Sequence, residues 1–264
     1  MVNYKDICLR VNGLVLEVGE YIRNERETFK NNYVEVKGKN DFVTYVDKNS
    51  EKKLVEGLSE ILPQAGYIAE EQTSTKKGDK YNWIIDPIDG TTNFIHGLTP
   101  HAISIALKED DTIVVGEVYE IGLDECFYSW YGGKAFCNGN EISVSGAERI
   151  SDSLIATGFP YYDYSKLDKF LATMGHLMQN SHGLRRLGSA ATDLAYVAAG
   201  RFESFFEYGL KPWDVAAGAF LVQQAGGLVN DFQCGDNYIF GGEIIASNKQ
   251  VHNEMIDVIS KYML

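Results

Sequence analysis

The chain has 264 residues, with 24 Lys+Arg against 37 Asp+Glu and a formal charge of −13 at pH 7. That balance argues against a protein built to coat nucleic acid or an anionic membrane, because such binding sets basic side chains against phosphates. Hydrophobic residues make up 45%, enough for a sizeable core; no apolar run is long enough to span a bilayer and no signal-peptide stretch opens the chain, so a cytoplasmic globular protein is expected.

Ile7, Val11, Leu14, Val18 and Ile22 recur at helical spacing and predict an amphipathic first helix. A second helix is predicted over 49–62, with Leu54, Val55, Leu58 and Leu62 on its apolar face and Pro63 ending it. The period then changes. Runs at 102–107, 112–119 and 125–130 read as strands joined by turns at Asp110-Asp111 and Ile121-Gly122, and Asn138-Gly139-Asn140 closes this antiparallel region. From Ser151 onward, short strands (154–157, 202–206, 227–229, 243–246) alternate with helices over 166–179, 189–199, 213–225 and 249–262. An α+β half, 1–148, followed by an α/β half, 149–264, is the predicted organisation. No linker separates them, so they are expected to pack as one compact unit.

Three acidic motifs each adjoin an inferred strand or helix end. The first is Gly66-Tyr67-Ile68-Ala69-Glu70-Glu71. The second is Trp83-Ile84-Ile85-Asp86-Pro87-Ile88-Asp89-Gly90-Thr91-Thr92-Asn93-Phe94. The third is Lys211-Pro212-Trp213-Asp214-Val215-Ala216-Ala217-Gly218, where an acid opens a helix. In the second, Pro87 removes a backbone donor and stops strand pairing. Asp86 and Asp89 then lie across a turn, so their carboxylates and the Ile88 carbonyl can share one small volume, a set of hard oxygens that suits Mg²⁺. The backbone N–H groups of Gly90, Thr91 and Thr92 at a helix start offer an anion site. A cation site touching an anion site is what metal-assisted hydrolysis of a phosphate ester needs. Taken singly, the same residues also read as a turn before a capped helix, a solvated Glu pair and a first-turn acid. Their convergence is the sharper expectation.

Other features carry blander readings. His96 and His101 are expected in loop or supporting roles, since Mg²⁺ disfavours imidazole. Gly132-Gly133-Lys134 lacks P-loop spacing and reads as a hairpin turn. Cys8, Cys126, Cys137 and Cys234 form no C-x-x-C and read as buried small hydrophobes. Arg185-Arg186 is either a phosphate clamp or a surface pair. Tyr161, Tyr162 and Tyr164 form an aromatic loop at the substrate mouth or in ordinary packing. The polar 73–79 loop after Glu70-Glu71 is expected to be a mobile flap over the acidic motifs.

Ala69-Glu70-Glu71, the 83–94 string and the 212–218 segment resemble the signature motifs of the inositol monophosphatases. So do Asp41-Phe42-Val43-Thr44-Tyr45-Val46-Asp47 and Arg185-Arg186-Leu187-Gly188-Ser189-Ala190-Ala191, and the resemblance spans nearly the whole chain. It implies the layered αβαβα sandwich of the inositol monophosphatase and fructose-1,6-bisphosphatase type, and a lithium-sensitive phosphomonoesterase using two to three Mg²⁺ ions. By the resemblance, Glu70, Asp86 and the Ile88 carbonyl hold one ion, Asp86, Asp89 and Asp214 a second, and Glu70 a weaker third. Asp47 and Thr91 form the dyad that activates water for direct attack on phosphorus. Gly90 and Thr91 hold the phosphate, and Asp89, Ser189, Ala190, Glu207 and Asp214 face the substrate. The implied substrate is myo-inositol monophosphate or another polyol or sugar phosphate, and the implied assembly a homodimer, with neither nucleic acid nor membrane as partner. Fructose 1,6-bisphosphate, adenosine 3′,5′-bisphosphate and histidinol phosphate are alternative substrates, and a non-catalytic regulatory or binding protein is the alternative of another class. Arg186 is a candidate for the dimer interface.

Overall fold

The computed structural model describes residues 2–29, 34–38, 41–160 and 163–264; Tyr161 and Tyr162 of the aromatic loop lie outside them, as do the side chains of Asp41 and Phe42. Helix α1 (Tyr4–Thr28) starts on Asn3, whose side chain accepts from the Asp6 N–H, and buries Ile7, Val11, Val15, Val18 and Ile22. Leu14 is half-buried, because it turns toward the next helix: a Cβ at Gly57 would lie 2.5 Å from Leu14 Cδ1. After the short antiparallel pair β1 (Val34–Gly38) and β2 (Asp41–Thr44), helix α2 (Tyr45–Ile61) begins earlier than its apolar period predicted. Thr44 caps it, and Asp47 returns a bond to the Thr44 N–H. This is a capping box, a signal carried by polar residues that the apolar period does not register.

The first sheet runs in the order β3 (Gly66–Ala69), β4 (Tyr81–Asp89), β5 (Ala102–Glu109), β6 (Thr112–Glu120), β7 (Glu125–Trp130), β8 (Ala135–Cys137), β9 (Asn140–Ile142). Only β3 and β4 are parallel within it. Helix α3 (Thr91–His96) links β4 to β5. The second sheet contains β10 (Leu154–Thr157), β11 (Gly183–Arg185), β12 (Ser204–Tyr208), β13 (Leu228–Asn230) and β14 (Glu243–Ser247), in the order β11-β10-β12-β14-β13. Its helices are α4 (Leu167–Asn180), α5 (Ala190–Ala198), α6 (Pro212–Gln224) and α7 (His252–Tyr262). Strand β12 extends beyond the predicted 202–206 run, so Glu207 stands within the strand rather than after it.

Helices α1 and α2 cover one face of the first sheet, α5 and α6 fill the space between the sheets, and α4 and α7 cover the far face of the second. These layers make the expected αβαβα sandwich. Between two sheets a helix has no solvent face, which is why α6 is buried at every position from Val215 to Val222 and its sequence shows no polar stripe. Among the described residues, no helix is long and apolar enough to cross a membrane. All four cysteines are free, and two depart from the buried expectation: Cys137 is half-buried and Cys234 is exposed. Cys234 sits in a loop at φ 62°, with Phe232 taking the inward position nearby.

Two local features aim the acidic motifs. At a spacing of three, Asp86 and Asp89 would face opposite sides of a regular strand. The register of β4 against β5 shifts between them, Asp86 pairing with Ser104 and Asp89 with Ala102, so one extra residue turns both acids to the same side. Asn93 then clasps the halves together: its Nδ2 donates to the Pro100 and Leu187 carbonyls, each at 2.8 Å. Asn93→Ala leaves both carbonyls without their donor and is expected to cost about 2 kcal/mol. A urea titration should show a lower midpoint with an unchanged slope, and an unaltered midpoint would remove the clasp from the account.

Candidate active site

A cavity of about 530 Å³ opens where the end of β4, the start of α3 and the starts of α5 and α6 meet. Asp86, Asp89 and Asp214 each send a carboxylate oxygen into it, the three lying within 4.8 Å of one another. Each acid is fixed by a backbone donor. The Ile88 N–H reaches Asp86 Oδ1 at 2.9 Å, the Ala191 N–H reaches Asp89 Oδ2 at 2.7 Å, and the Lys211 N–H reaches Asp214 Oδ2 at 2.7 Å. Glu70, one residue past β3, and Ile88 line the same cavity.

Thr91 opens α3 on the cavity wall, after Gly90. Gly90 has φ 91°, and a Cβ there would come 3.1 Å from the Gly188 and Pro100 carbonyls, so this corner needs glycine. No side chain caps α3, which leaves its first N–H groups beside the cavity. Thr91 Oγ1 lies 3.1 Å from Asp47 Oδ1 and 3.0 Å from the Ile88 carbonyl. Asp47 is 1% exposed and lies behind Thr91, its other oxygen taking the Thr44 N–H at 2.8 Å and the Thr44 hydroxyl at 2.6 Å. Its contact with the cavity wall runs through the Thr91 hydroxyl.

Burial pushes these carboxyls upward. Asp86 is raised well above the ordinary range by burial and then by the charges of Glu70, Asp89 and Asp214. Asp214 is pushed to about 7 by burial and the charge of Asp89, against the Lys211 N–H. Asp89 rises to about 6 by burial, held down by its bonds to Ser189 and Ala191 and by Arg186. Asp47 rises by burial, opposed by Thr44 and Thr91.

A profile of the inositol monophosphatase family matches residues 8–264. The inositol-1-monophosphatase of Mesorhizobium japonicum is 36% identical over 247 residues, covering 93% of each chain. A putative Nus factor SuhB of Neisseria meningitidis serogroup B is 44% identical over 225 residues, 85% of this chain and 86% of its own. The crystal structure of the extragenic suppressor protein suhB from Bartonella henselae matches with a TM-score of 0.89 at 35% identity, covering 96% of this chain and 97% of that one. The chain belongs to the inositol monophosphatase family.

For a member of that family, the donor set suits a hard divalent cation: oxygen donors only, crowded, with Asp86 buried and Asp89 and Asp214 half-buried, and with pKa values raised until positive charge or protons relieve them. Glu70, Asp86, Ile88, Asp89 and Asp214 all line this cavity. The histidines stand apart from it. His96 is exposed, while His101 sets its Nδ1 against the Leu98 carbonyl at 3.1 Å and packs edge-on to Phe94.

Another part of the cavity wall is built by the second half. Ser189 caps α5 and gives its hydroxyl to Asp89 Oδ2 at 2.6 Å, with Ala190 and Glu207 also on the wall. The arginine pair divides. Arg185 is exposed, while Arg186 lines the cavity with its guanidinium 5.1 Å from the Phe159 ring centroid. Sequence reasoning missed Thr44, whose Thr-x-x-Asp spacing was the available signal. It also missed Asp193, a buried acid on α5 that lines the cavity and sits among residues reading as apolar helix. Glu51 was missed too: it accepts from the Glu71 N–H at 2.7 Å and the Thr73 N–H at 2.9 Å, anchoring the start of the 73–79 loop to α2.

Without a cation, the folded state holds protons on Asp89 and Asp214 that the unfolded chain has released between about pH 4 and pH 7. Stability of chelator-treated protein should therefore fall as pH rises through that window. The melting temperature is expected to be higher at pH 5 than at pH 8, with Asp214→Asn flattening the profile and Mg²⁺ stabilising more at pH 8. A flat profile for the chelator-treated parent would contradict the raised carboxyls.

Proposed function

We propose that the chain is a Mg²⁺-dependent phosphomonoesterase that hydrolyses myo-inositol monophosphate, and other polyol or sugar monophosphates, by direct attack of water on phosphorus. The observation that carries this reading is the convergence of Asp86, Asp89 and Asp214 with the Thr91–Asp47 pair on one cavity. Mg²⁺ would be held by Glu70, Asp86, the Ile88 carbonyl, Asp89 and Asp214, where it would supply positive charge against the phosphate oxygens and make water more acidic.

The protein's own groups do the rest. Gly90 and Thr91 present backbone N–H groups to the phosphate. The Thr91 hydroxyl donates to Asp47 and accepts a hydrogen from the attacking water, so the departing proton passes toward a carboxylate. The water oxygen bonds to phosphorus, the ester P–O bond breaks, and the leaving alkoxide takes a proton from solvent water, while the proton passed toward Asp47 returns to solvent, giving the free alcohol and inorganic phosphate. Glu207, with Asp89, Ser189 and Ala190, faces the alcohol part. Positioning supplies much of the rate, since water, phosphate and hydroxyl are brought together in one fixed site. The formal charge of −13 argues against nucleic acid as a partner, and it does not argue against a small phosphorylated substrate once bound cations reverse the local sign.

A second reading, a binding protein that retains the fold without the activity, draws on the Nus factor name of the Neisseria relative. The full set of motif acids, with Asp47, Asp86, Asp89 and Asp214 each held by a backbone donor, supports the enzyme.

Phosphate release from myo-inositol 1-phosphate with Mg²⁺ separates the two. Activity is expected, with inhibition by Li⁺ and loss in Asp86→Asn and Asp214→Asn. Thr91→Ala should lower kcat by about 10²-fold or more, and Thr91→Ser should retain most of it. A panel adding fructose 1,6-bisphosphate, adenosine 3′,5′-bisphosphate and histidinol phosphate ranks the substrates. Silence across the whole panel would sink the enzyme reading.

A further inference from the structure

Asp193 is not used by the reaction described above. It lies in the first turn of α5, is 1% exposed, and lines the cavity beside Glu207 and Ser189. Its Oδ1 is buried and has no hydrogen-bond partner among the described residues. An orphaned buried acceptor costs on the order of 1–3 kcal/mol, so a helix that needed only packing at this position would be better served by an apolar residue. Such a cost persists where a group meets its partner only when a ligand arrives.

The surroundings identify the ligand's chemistry. Glu207 reaches the same wall from β12, and its carboxyl fills the space a side chain on Gly158 would occupy: a Cβ there would lie 2.0 Å from Glu207 Oε1. The charges of Glu207 and Asp89 act on Asp193, those of Asp214 and Asp89 act on Glu207, and Arg186 is the cation that opposes them at both. Both carboxyls are raised well above the ordinary range, chiefly by burial. Two carboxyls and one guanidinium on an enclosed wall form a surface for hydroxyl groups, which both donate and accept. With nothing holding Oδ1, the Asp193 carboxyl can turn about χ2, a torsion with broad wells, and present either oxygen.

We propose that Asp193 is a specificity-determining residue which, paired with Glu207, binds hydroxyls on the alcohol part of the substrate. The proposal rests on the phosphomonoesterase reading for its choice of ligand, and equilibrium binding tests it independently of turnover. In a Thr91→Ala background with Mg²⁺ present, calorimetry compares myo-inositol 1-phosphate, whose alcohol carries a ring of hydroxyls, with phenyl phosphate, whose alcohol carries none.

Adding Asp193→Asn should weaken myo-inositol 1-phosphate about tenfold relative to phenyl phosphate, the scale of one charge-assisted hydrogen bond. The melting temperature should hold or rise, since a buried acid is removed; Asp193→Ser repeats the comparison should the amide fold poorly. In the background that retains Thr91, the same ratio should appear in KM rather than kcat. Parallel losses on both ligands would make Asp193 structural and overturn the proposal. An unchanged ratio, or no binding of myo-inositol 1-phosphate by the Thr91→Ala protein, would overturn it as well. Phosphate release by the wild type separately decides the enzyme reading.

Discussion

Placing Asp86, Asp89 and Asp214 within 4.8 Å of one another inside a cavity is the constraint on which the rest of the structure depends. Like charges at that density oppose folding unless the surroundings stabilise them. The chain supplies a backbone N–H to each of the three, and one to Asp47. The donors to Asp47, Asp89 and Asp214 belong to the starts of α2, α5 and α6, where unpaired N–H groups and the positive end of the helix dipole are found. Each helix start therefore holds one carboxylate in place while covering only part of its charge. What is left uncovered points into the cavity, so the site is stable in a shape that favours a cation.

The layered fold is the means of gathering these helix starts. Asp86 and Asp89 come from the end of β4, whereas Asp214 and the donors to Asp89 come from the helices between the sheets. Neither half contains the site alone. Helices α5 and α6 reach their positions only because both faces are apolar, so the absence of a polar stripe on α6, which looks like a loss of amphipathic signal, is a condition for placing Asp214. The Asn93 bonds to Pro100 and Leu187 serve the same end, fixing the α3 corner against the loop that leads into α5.

Much of this was legible in the sequence, and what was not has definite physical reasons. Long apolar periods located the helices, and dense motif acids located the cavity, because both signals are local. The start of α2 was misplaced, since its boundary is set by the Thr44–Asp47 capping box rather than by apolar spacing. The pointing of Asp86 and Asp89 to one side depends on a register shift against β5, a pairing that no local window contains. Glu51, Arg186 and Asp193 acquire their roles from residues distant in the chain. Glu51 meets the Glu71 and Thr73 N–H groups, and Arg186 meets the Phe159 ring. Cys234 shows the converse: a residue type that is usually buried is exposed here because the loop turns at a left-handed backbone angle.

The cavity holds two populations of carboxyl, and what touches them separates their chemistry. Asp86, Asp89 and Asp214 have one oxygen each committed to a backbone donor, which fixes direction and suits a ligand that demands geometry, as a small divalent cation does. Asp193 has an oxygen with no donor at all, and Glu207 stands against a glycine rather than a helix start. A carboxyl oxygen that no backbone donor has fixed imposes no coordination geometry and is free to pair with a hydroxyl. On the phosphomonoesterase reading proposed above, the donor-held acids would face the phosphate and the other two the alcohol, making a catalyst strict about the bond it breaks and tolerant among hydroxyl-bearing alcohols. The same side-chain chemistry serves both ends, and the difference lies in which oxygens the backbone has already claimed.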